Sequence, residues 1–309
     1  MPLQQYEWIN RQEVLTFEEI TRLAKIFVGL GVNKIRLTGG EPLLRRNLDR
    51  LIRKLARIYG LEDLCLTTNG EFLEQEIAAL YDAGLKRINV SIDTLKPDRF
   101  RELTKRGHLK TVLDGLFAAK SYGLHPIKIN AVIVRGINDD EILDLVDFSR
   151  EHGFSIRFIE FMDVGNSNQW KSERMVSKAQ ILQIIHQKYP LKEIGRVQGN
   201  APSVDYQYAE GSGDLGIIAS VTEPFCFGCT RARLTADGSL VTCLFSHSGC
   251  DLKALMRGGA SDKQLVETIS SVWSGRADRY SEERLHAMQS SQGYEPGSRK
   301  KIEMITLGG

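Results

Sequence analysis

The sequence lacks most features of exported, membrane-spanning or nucleic-acid-binding proteins. It has no apolar run long enough to cross a bilayer, and residues 1–5 lack the basic and apolar stretches of a secretory signal. A formal net charge of +2 over 309 residues leaves no excess of positive charge for nucleic acid. We therefore expect a soluble, cytoplasmic protein with no membrane or nucleic-acid partner, in which locally placed Arg and Lys hold any anionic ligand.

Cysteine is also scarce. The chain has five cysteines, an odd number, and three of them (Cys226, Cys229 and Cys243) lie close together in sequence. This distribution is more typical of metal binding in a reducing compartment than of a disulfide framework.

A helix-glycine-strand unit recurs five times in the first half of the chain. The glycines at positions 31, 60, 84, 123 and 153 each follow a helix-like pattern and open an apolar strand. Glycine suits a helix C-cap, where φ turns positive. The predicted strands are residues 35–38, 64–68, 88–92, 127–134 and 156–161. Strands alternating with helices predict a parallel sheet. A doubly wound sheet is the alternative, but the repeating unit carries no dinucleotide-binding glycine fingerprint, which favours a full or partial barrel.

The pattern changes after about residue 178. Ser177 and Gln180 form a capping box for one more helix, as Thr16 and Glu19 do for the first. Short strand-like pieces follow at residues 217–221 and 233–235, the second leading into a tight turn. We predict an α/β fold with an incomplete (β/α) barrel over residues 1–177 and a smaller C-terminal α+β layer over residues 178–309.

Small and polar residues follow the predicted strands, at the edge where barrel enzymes carry their active sites. The segment Thr38-Gly39-Gly40-Glu41-Pro42 follows the first strand, and Ser91 and Met162 end two others. Paired glycines allow a ligand to approach the backbone, and the Glu41 carboxylate can accept from an ammonium group. Taken alone, the segment is equally consistent with an ordinary strand-to-helix turn.

The spacing of Cys226, Cys229 and Cys243 allows their thiolates to converge on one metal centre. Zinc needs four ligands, which would recruit His247 or Cys250, whereas three cysteines can hold a four-iron cluster with one open iron. The spacing alone favours zinc as the more common case, and three unrelated buried thiols are a further alternative.

Cationic side chains provide candidate sites for an anion. Arg231 and Arg233 alternate along an extended segment beside Cys229, so both guanidinium groups would face the same way and could grip phosphate. A solvated pair on an edge strand is the alternative. Arg36 and Lys128 lie within apolar strands, where an unpaired charge is costly, so each requires an anionic partner from a ligand or from the protein.

Five stretches together carry a family resemblance. They are Ile35-Arg36-Leu37-Thr38-Gly39-Gly40-Glu41-Pro42-Leu43, Leu66-Thr67-Thr68-Asn69-Gly70, Ile88-Asn89-Val90-Ser91-Ile92-Asp93, Arg157-Phe158-Ile159-Glu160-Phe161-Met162-Asp163-Val164-Gly165 and Cys226-x-x-Cys229-Thr230-Arg231-Ala232-Arg233. In this order they resemble the GTP 3',8-cyclase family of molybdenum cofactor biosynthesis, which are radical S-adenosylmethionine enzymes.

The resemblance implies ligands for each part of the site. Residues Gly39, Gly40, Glu41, Ser91 and Met162 would bind S-adenosylmethionine. Residues Arg36, Thr67, Lys128, Arg231 and Arg233 would bind GTP. Residues Cys226, Cys229 and Cys243 would hold a [4Fe-4S] cluster whose open iron binds the guanine base. The resemblance further implies an electron donor, a downstream cyclic pyranopterin monophosphate synthase, a possible homodimer and a Gly308-Gly309 tail that reaches toward the active site.

The sequence departs from the family at one point. The family's S-adenosylmethionine-binding [4Fe-4S] cluster is held by a Cys-x3-Cys-x2-Cys motif near the N-terminus, and the sequence contains no such motif. We therefore expect the barrel to lack its first strand and the chain as given to be inactive unless it is extended N-terminally. Two alternatives are another radical S-adenosylmethionine maturase with an auxiliary cluster, and a zinc-stabilised nucleotide-binding module without catalytic activity.

Overall fold

The computed structural model of the chain describes residues 9–166, 170–211, 213–290, 294–295 and 300–307. Its largest element is an eight-stranded sheet in the order β1-β2-β3-β4-β5-β8-β7-β6. The strands are β1 (Lys34–Leu37), β2 (Asp63–Thr68), β3 (Arg87–Ser91), β4 (Ile127–Ile133), β5 (Ser155–Glu160), β6 (Leu191–Gly195), β7 (Val204–Tyr208) and β8 (Asp214–Ile218). Strands β1 to β5 pair in parallel and β5 also pairs in parallel with β8, whereas β7 pairs antiparallel with both β8 and β6. The five parallel strands predicted from the glycine-bounded units are thus confirmed.

Helices cover the outer face of this sheet. They are α1 (Phe17–Gly29), α2 (Leu48–Ala56), α3 (Leu73–Asp82), α4 (Pro97–Thr104), α5 (Leu109–Ser121), α6 (Ile142–Glu151) and α7 (Lys178–His186). Both predicted capping boxes are present, at Thr16 with Glu19 and at Ser177 with Gln180. The five glycines that end the helices all have positive φ, between 66° and 111°, as a left-handed C-terminal position requires.

The two faces of the parallel strands differ in polarity. The outer face carries buried apolar residues such as Leu66, Ile88, Ile129 and Phe158, which belong to one core cluster with apolar side chains of the helices. The alternate residues, on the inner face, are mostly polar or charged because successive side chains of a strand point to opposite faces. The sheet with its outer helices is a partial barrel whose lumen is polar.

One predicted strand was placed wrongly. Residues 217–221 were predicted as a strand, whereas β8 is Asp214–Ile218. The backbone N–H groups of Val221 and Thr222 donate instead to the buried carboxylate of Glu160, at 2.9 and 3.0 Å. The chain therefore leaves the sheet before Val221, and Glu160 ties this exit to the end of β5.

The C-terminal residues form a second layer. A three-stranded antiparallel sheet is built from β9 (Arg233–Leu234), β10 (Ser239–Val241) and β11 (Cys250–Asp251), and it is followed by α8 (Leu252–Arg257), α9 (Asp262–Ser274), α10 (Tyr280–Gln289) and α11 (Met304–Leu307). Its apolar residues, including Leu240, Leu252 and Leu265, share a core with Leu15 and Leu23 around α1. Strands β6 to β8 belong to the barrel sheet, and the division after residue 177 stays a prediction. Across the described part of the chain, every helix is too short or too polar to cross a membrane.

Candidate active site

The inner face of the barrel aligns polar side chains from neighbouring strands. Strand register places Thr67 beside Asn89, and Asn89 beside Lys128. One row further along, Asn130 lies beside Arg157. Two of the predicted GTP residues, Thr67 and Lys128, are therefore on adjacent parts of one polar surface.

Several polar atoms of this surface are buried without a hydrogen-bond partner among the described residues. They are the Thr67 hydroxyl, the side-chain carbonyls of Asn89 and Asn130, and the Nε of Arg157. A buried polar group that makes no hydrogen bond costs stability, and such groups in native structures call for an explanation. A polar ligand in the lumen would give these four atoms partners.

The same surface is rich in positive charge. Burial and the neighbouring Arg157 lower the pKa of Lys128 to about 8. Arg157 itself pairs only loosely with Asp205, at 3.3 Å; burial lowers its pKa, and the charge of Arg36 lowers it further. The cations are close enough to oppose one another's charge, so an anion between them would relieve that repulsion.

Arg36 is less buried than the sequence indicates. The prediction that its charge is enclosed in an apolar strand is wrong: β1 is an edge strand of the described sheet, and Arg36 is exposed on it. Its Nε donates to the Cys65 sulfur at 3.4 Å. This contact and the pairing of Arg36 with Cys65 in the strand register place the side chain on the inner face of the sheet, where its charge contributes to lowering the pKa of both Arg157 and Arg233.

The Gly-Gly-Glu-Pro segment forms a tight turn after β1. Gly39 has a φ of +126°, in the region that favours glycine. The Glu41 carboxylate accepts from the backbone N–H groups of Leu43 and Asn69 and from the Thr68 hydroxyl, and burial raises its pKa. Glu41 thus ties the turn to the end of β2. Its carboxylate already accepts three hydrogen bonds from the protein, and the ammonium group of a ligand would donate a fourth.

The three clustered cysteines line one pocket at the mouth of the barrel. Cys226, Cys229 and Cys243 share this pocket with Met162, and the same pocket contains both Arg231 and Arg233. Ser91 lies elsewhere, exposed at the end of β3. The three cysteines and the two arginines therefore line one pocket of the structure, and their binding of a metal or of phosphate stays a prediction.

The geometry of the cysteines bears on which metal they suit. Neither His247 nor Cys250 lines the pocket, and nowhere in the described ranges do three Cys, His, Asp or Glu side chains come together as ligands of one ion. A four-iron cluster binds each cysteine at a different iron, so its ligands need not converge on a single point. The pocket therefore offers three thiols without either of the two side chains that were predicted as a fourth zinc ligand.

The surroundings of Cys229 and Cys243 act on these two thiols in opposite directions. Although burial opposes it, the Arg231 guanidinium lowers the pKa of Cys229, and its Nη2 lies 3.1 Å from the Cys229 sulfur. Burial raises the pKa of Cys243. Burial and the adjacent Arg231 lower the pKa of Arg233 to about 10. The pocket thus combines three thiols with two cations. The Arg233 guanidinium donates no hydrogen bond to any acceptor among the described residues.

The C-terminal segment closes one side of the site. The backbone N–H of Ile302 donates to the carbonyl of Ser246 at 3.0 Å, and the Ile305 side chain is 3.0 Å from the position that a Cβ on Gly40 would take. The segment therefore packs against the glycine turn and near the cysteine pocket. The predicted Gly308-Gly309 tail lies outside the described residues.

Sequence reasoning missed several residues of this region. Asn89 and Arg157 lie in stretches that carry the family resemblance and Asn130 lies in a predicted strand, but none of the three was assigned a role. Their alternation with apolar residues along β3 to β5 is the signal that could have found them. No comparable signal marks Asp163 or Arg276, whose partners are distant in sequence.

The sequence and the fold are similar to those of known proteins. The "Radical SAM superfamily" model matches residues 4–149, and the "Molybdenum Cofactor Synthesis C" model matches residues 154–282. A GTP 3',8-cyclase of Acidothermus cellulolyticus is 44% identical over 98% of this chain and 89% of its own length. GTP 3',8-cyclase 3 of Mycobacterium bovis is 42% identical over the whole chain and 83% of its own length. The crystal structure of Streptococcus suis SuiB superposes with a TM-score of 0.53 over 84% of this chain and 59% of that chain, at 15% identity, which shows a shared fold.

Proposed function

Because this chain belongs to the GTP 3',8-cyclase family of radical S-adenosylmethionine proteins, we propose that the inner face of its barrel binds GTP and the Gly39–Glu41 turn binds S-adenosylmethionine. The family's reaction joins the ribose C3' of GTP to C8 of the guanine in molybdenum cofactor biosynthesis. The two ligands would therefore bind to different surfaces, GTP to the inner face of the barrel and S-adenosylmethionine to the turn after β1.

The triphosphate would lie among the lumen cations. Lys128, Arg157 and Arg36 face the lumen from one side, and Arg231 and Arg233 come from the C-terminal layer. Charge-assisted hydrogen bonds to phosphate are stronger than neutral ones, and arginine can bind phosphate in a bidentate manner. The observation that carries the proposal is this group of mutually repelling cations beside four buried polar atoms that have no hydrogen-bond partner among the residues that the structure describes.

The guanine base would point toward the cysteine pocket. Cys226, Cys229 and Cys243 would hold a [4Fe-4S] cluster through three irons, and when bound the fourth iron supplies a Lewis-acidic site for the base. The role of this chain's own residues is to hold the purine between the Arg-rich lumen and the pocket. Phe225, which packs under the Arg231 guanidinium at 4.9 Å, keeps that cation oriented.

S-adenosylmethionine would occupy the turn after β1. Gly39, where an added Cβ would meet no described atom within 4 Å, would let the ligand approach the backbone. Gly40, Met162 and Ser91 would border the ligand, and the Glu41 carboxylate would accept from its ammonium group. The sequence supplies no candidate ligands for the cluster that binds S-adenosylmethionine in this family, so that part of the reaction is assigned to no residue of this chain. The electron donor and the downstream synthase that the family implies would be partners of this chain as well.

Binding of GTP tests this proposal directly. Arg231→Ala and Arg233→Ala should each weaken the binding of GTP by about 10- to 100-fold, because each removes a charge-assisted contact that contributes about 1.5–3 kcal/mol. Equilibrium dialysis with labelled GTP on the anaerobically reconstituted chain provides the measurement. Arg101→Ala, on the outer helix α4, is the control and should bind as the parent does. Unchanged GTP affinity in both pocket variants would remove the substrate assignment.

A further inference from the structure

The connection between α9 and α10 contacts both cysteine-bearing segments. The Nη1 of Arg276 donates to the backbone carbonyl of Cys229 at 2.5 Å. The Nε of the same guanidinium lies 3.3 Å from Asp278, and Asp278 accepts from the hydroxyl of Thr242 at 2.6 Å. Since Thr242 precedes Cys243, one pair of side chains joins the Cys226–Cys229 turn to the segment that carries the third thiol.

These segments need such a connection. Strands β9 and β10 are joined by two residue pairs, Leu234 with Leu240 and Arg233 with Val241. This strand pairing ends before either cysteine-bearing segment begins. The Cys226–Cys229 turn is closed within itself, by a backbone bond of 3.1 Å from the N–H of Cys229 to the carbonyl of Cys226. Beyond the last strand pair, the backbone of the hairpin does not fix how far Cys229 lies from Cys243.

The pair is built to be rigid. The Arg276 side chain is 11% exposed and the Asp278 side chain 25% exposed, and the Arg276 guanidinium stacks on the Trp273 ring at 5.0 Å. A planar guanidinium that donates to a carbonyl through one nitrogen and pairs with a carboxylate through another has little freedom left to rotate. Removing one partner would leave the other partly buried and unpaired.

We propose that Arg276 and Asp278 are positioning residues, which set the separation of the Cys226–Cys229 turn from Cys243 and so match the three thiols to a cluster. This inference rests on the proposed function, since it assumes that these thiols hold the cluster. Neither residue would ligate iron or touch GTP. Both would act through the backbone of Cys229 and the side chain of Thr242.

Retention of iron by the full chain is the first test. After anaerobic reconstitution with iron and sulfide, Arg276→Ala and Asp278→Ala should lose iron to a chelator about 10- to 100-fold faster than the parent, which is the usual effect on metal affinity of removing a residue that orients a ligand. Arg276→Lys should restore part of the retention, because an ammonium group can still donate to the Cys229 carbonyl. Lys263→Ala, an 86% exposed cation of α9, should behave as the parent.

A second test needs no metal. In a Cys226→Ser/Cys250→Ser background, a short bifunctional thiol reagent can bridge Cys229 and Cys243 in the metal-free chain. Arg276→Ala should lower the rate of bridging severalfold, and Arg276→Lys should recover part of it. Circular dichroism establishes that each variant is folded. Bridging that is independent of residue 276 in folded protein would overturn the inference.

The two tests separate this inference from the proposed function. A parent chain that retains no iron and sulfide, but whose thiol bridging depends on Arg276, would reject the cluster and support the positioning role. A parent chain that retains its iron, and whose Arg276→Ala and Asp278→Ala variants retain it equally well, would support the cluster and reject the positioning role.

Discussion

The ammonium nitrogen of Lys301 lies 2.6 Å from the carboxylate of Asp163, and both side chains are only 2% exposed. Arg284, which is fully buried, contacts the other carboxylate oxygen, and the Tyr280 hydroxyl donates to the first at 2.5 Å. Although burial opposes it, the Arg284 charge lowers the pKa of Asp163. One buried carboxylate therefore anchors the C-terminal segment to the loop after β5, next to Met162.

Loss of this carboxylate should strongly destabilise the protein. Asp163→Ala leaves two buried cations without a counter-charge, and breaking a buried pair in this way costs about 3–5 kcal/mol. Urea unfolding measures the free energy. Asp262→Ala, which removes an ion pair whose carboxylate is 68% exposed, should change the free energy of unfolding by less than about 1 kcal/mol. Equal effects of the two substitutions would contradict this account.

Because the folded-state pKa of Asp163 is lowered, its contribution has a defined pH dependence. The stabilisation is fully present above the unfolded-state pKa of aspartate, about 3.9, and is lost as the pH falls through the lower pKa of the folded state. The difference in unfolding free energy between the parent and Asp163→Ala should therefore shrink in acid. A difference that stays constant down to about pH 2 would count against the ion pair as its source.

The contact between Gly40 and Ile305 should appear as an energetic coupling. A Cβ at position 40 would approach the Ile305 side chain to 3.0 Å, so Gly40→Ala should destabilise by about 1–3 kcal/mol through overpacking. In an Ile305→Ala background the added methyl group has room, and most of that cost should vanish. Thermal unfolding of the four proteins of the cycle measures the coupling. Strictly additive effects would show that the C-terminal segment does not rest on the glycine turn.

Thr67→Val should separate stability from ligand binding. The Thr67 hydroxyl is buried without a partner in the described structure, so its replacement by a methyl group should leave stability unchanged or raise it by about 1 kcal/mol. GTP affinity should fall about five- to tenfold if that hydroxyl meets the nucleotide. The matched control is Thr235→Val, at an equally buried threonine whose hydroxyl is hydrogen-bonded; it should lose stability and keep its GTP affinity.

GTP affinity should depend on pH through Lys128. Burial and nearby Arg157 lower the pKa of Lys128 to about 8, so the free protein loses this charge as the pH rises, whereas a bound phosphate favours the protonated form. Between about pH 7 and pH 9 the affinity should therefore fall about tenfold. Lys128→Arg, which stays charged throughout this range, should bind with little pH dependence. Titration calorimetry at several pH values provides the comparison, and parallel profiles for the two proteins would exclude Lys128.

The sequence predicted the elements of the fold because their signals are local. A capping box such as Thr16 with Glu19 spans one turn of helix, and a glycine such as Gly31 ends a helix through its own φ. The alternation of these units implies parallel strands, and the strands of such a sheet deliver their carboxyl ends to one edge. The pocket that unites Cys226, Cys229 and Cys243 with two arginines also follows from short spacings.

Other features were decided only by the path of the chain in space. Arg36 has an apolar strand around it in sequence, yet it is exposed because that strand lies at the edge of the described sheet. Asp163 meets Lys301 across 138 residues, and Arg276 reaches the Cys229 carbonyl across 47. A local sequence pattern indicates only the interactions that form within one segment, such as a helix cap or a turn. The partner of a buried charge depends instead on which distant segments the packed core brings together, and no short stretch of sequence carries that information.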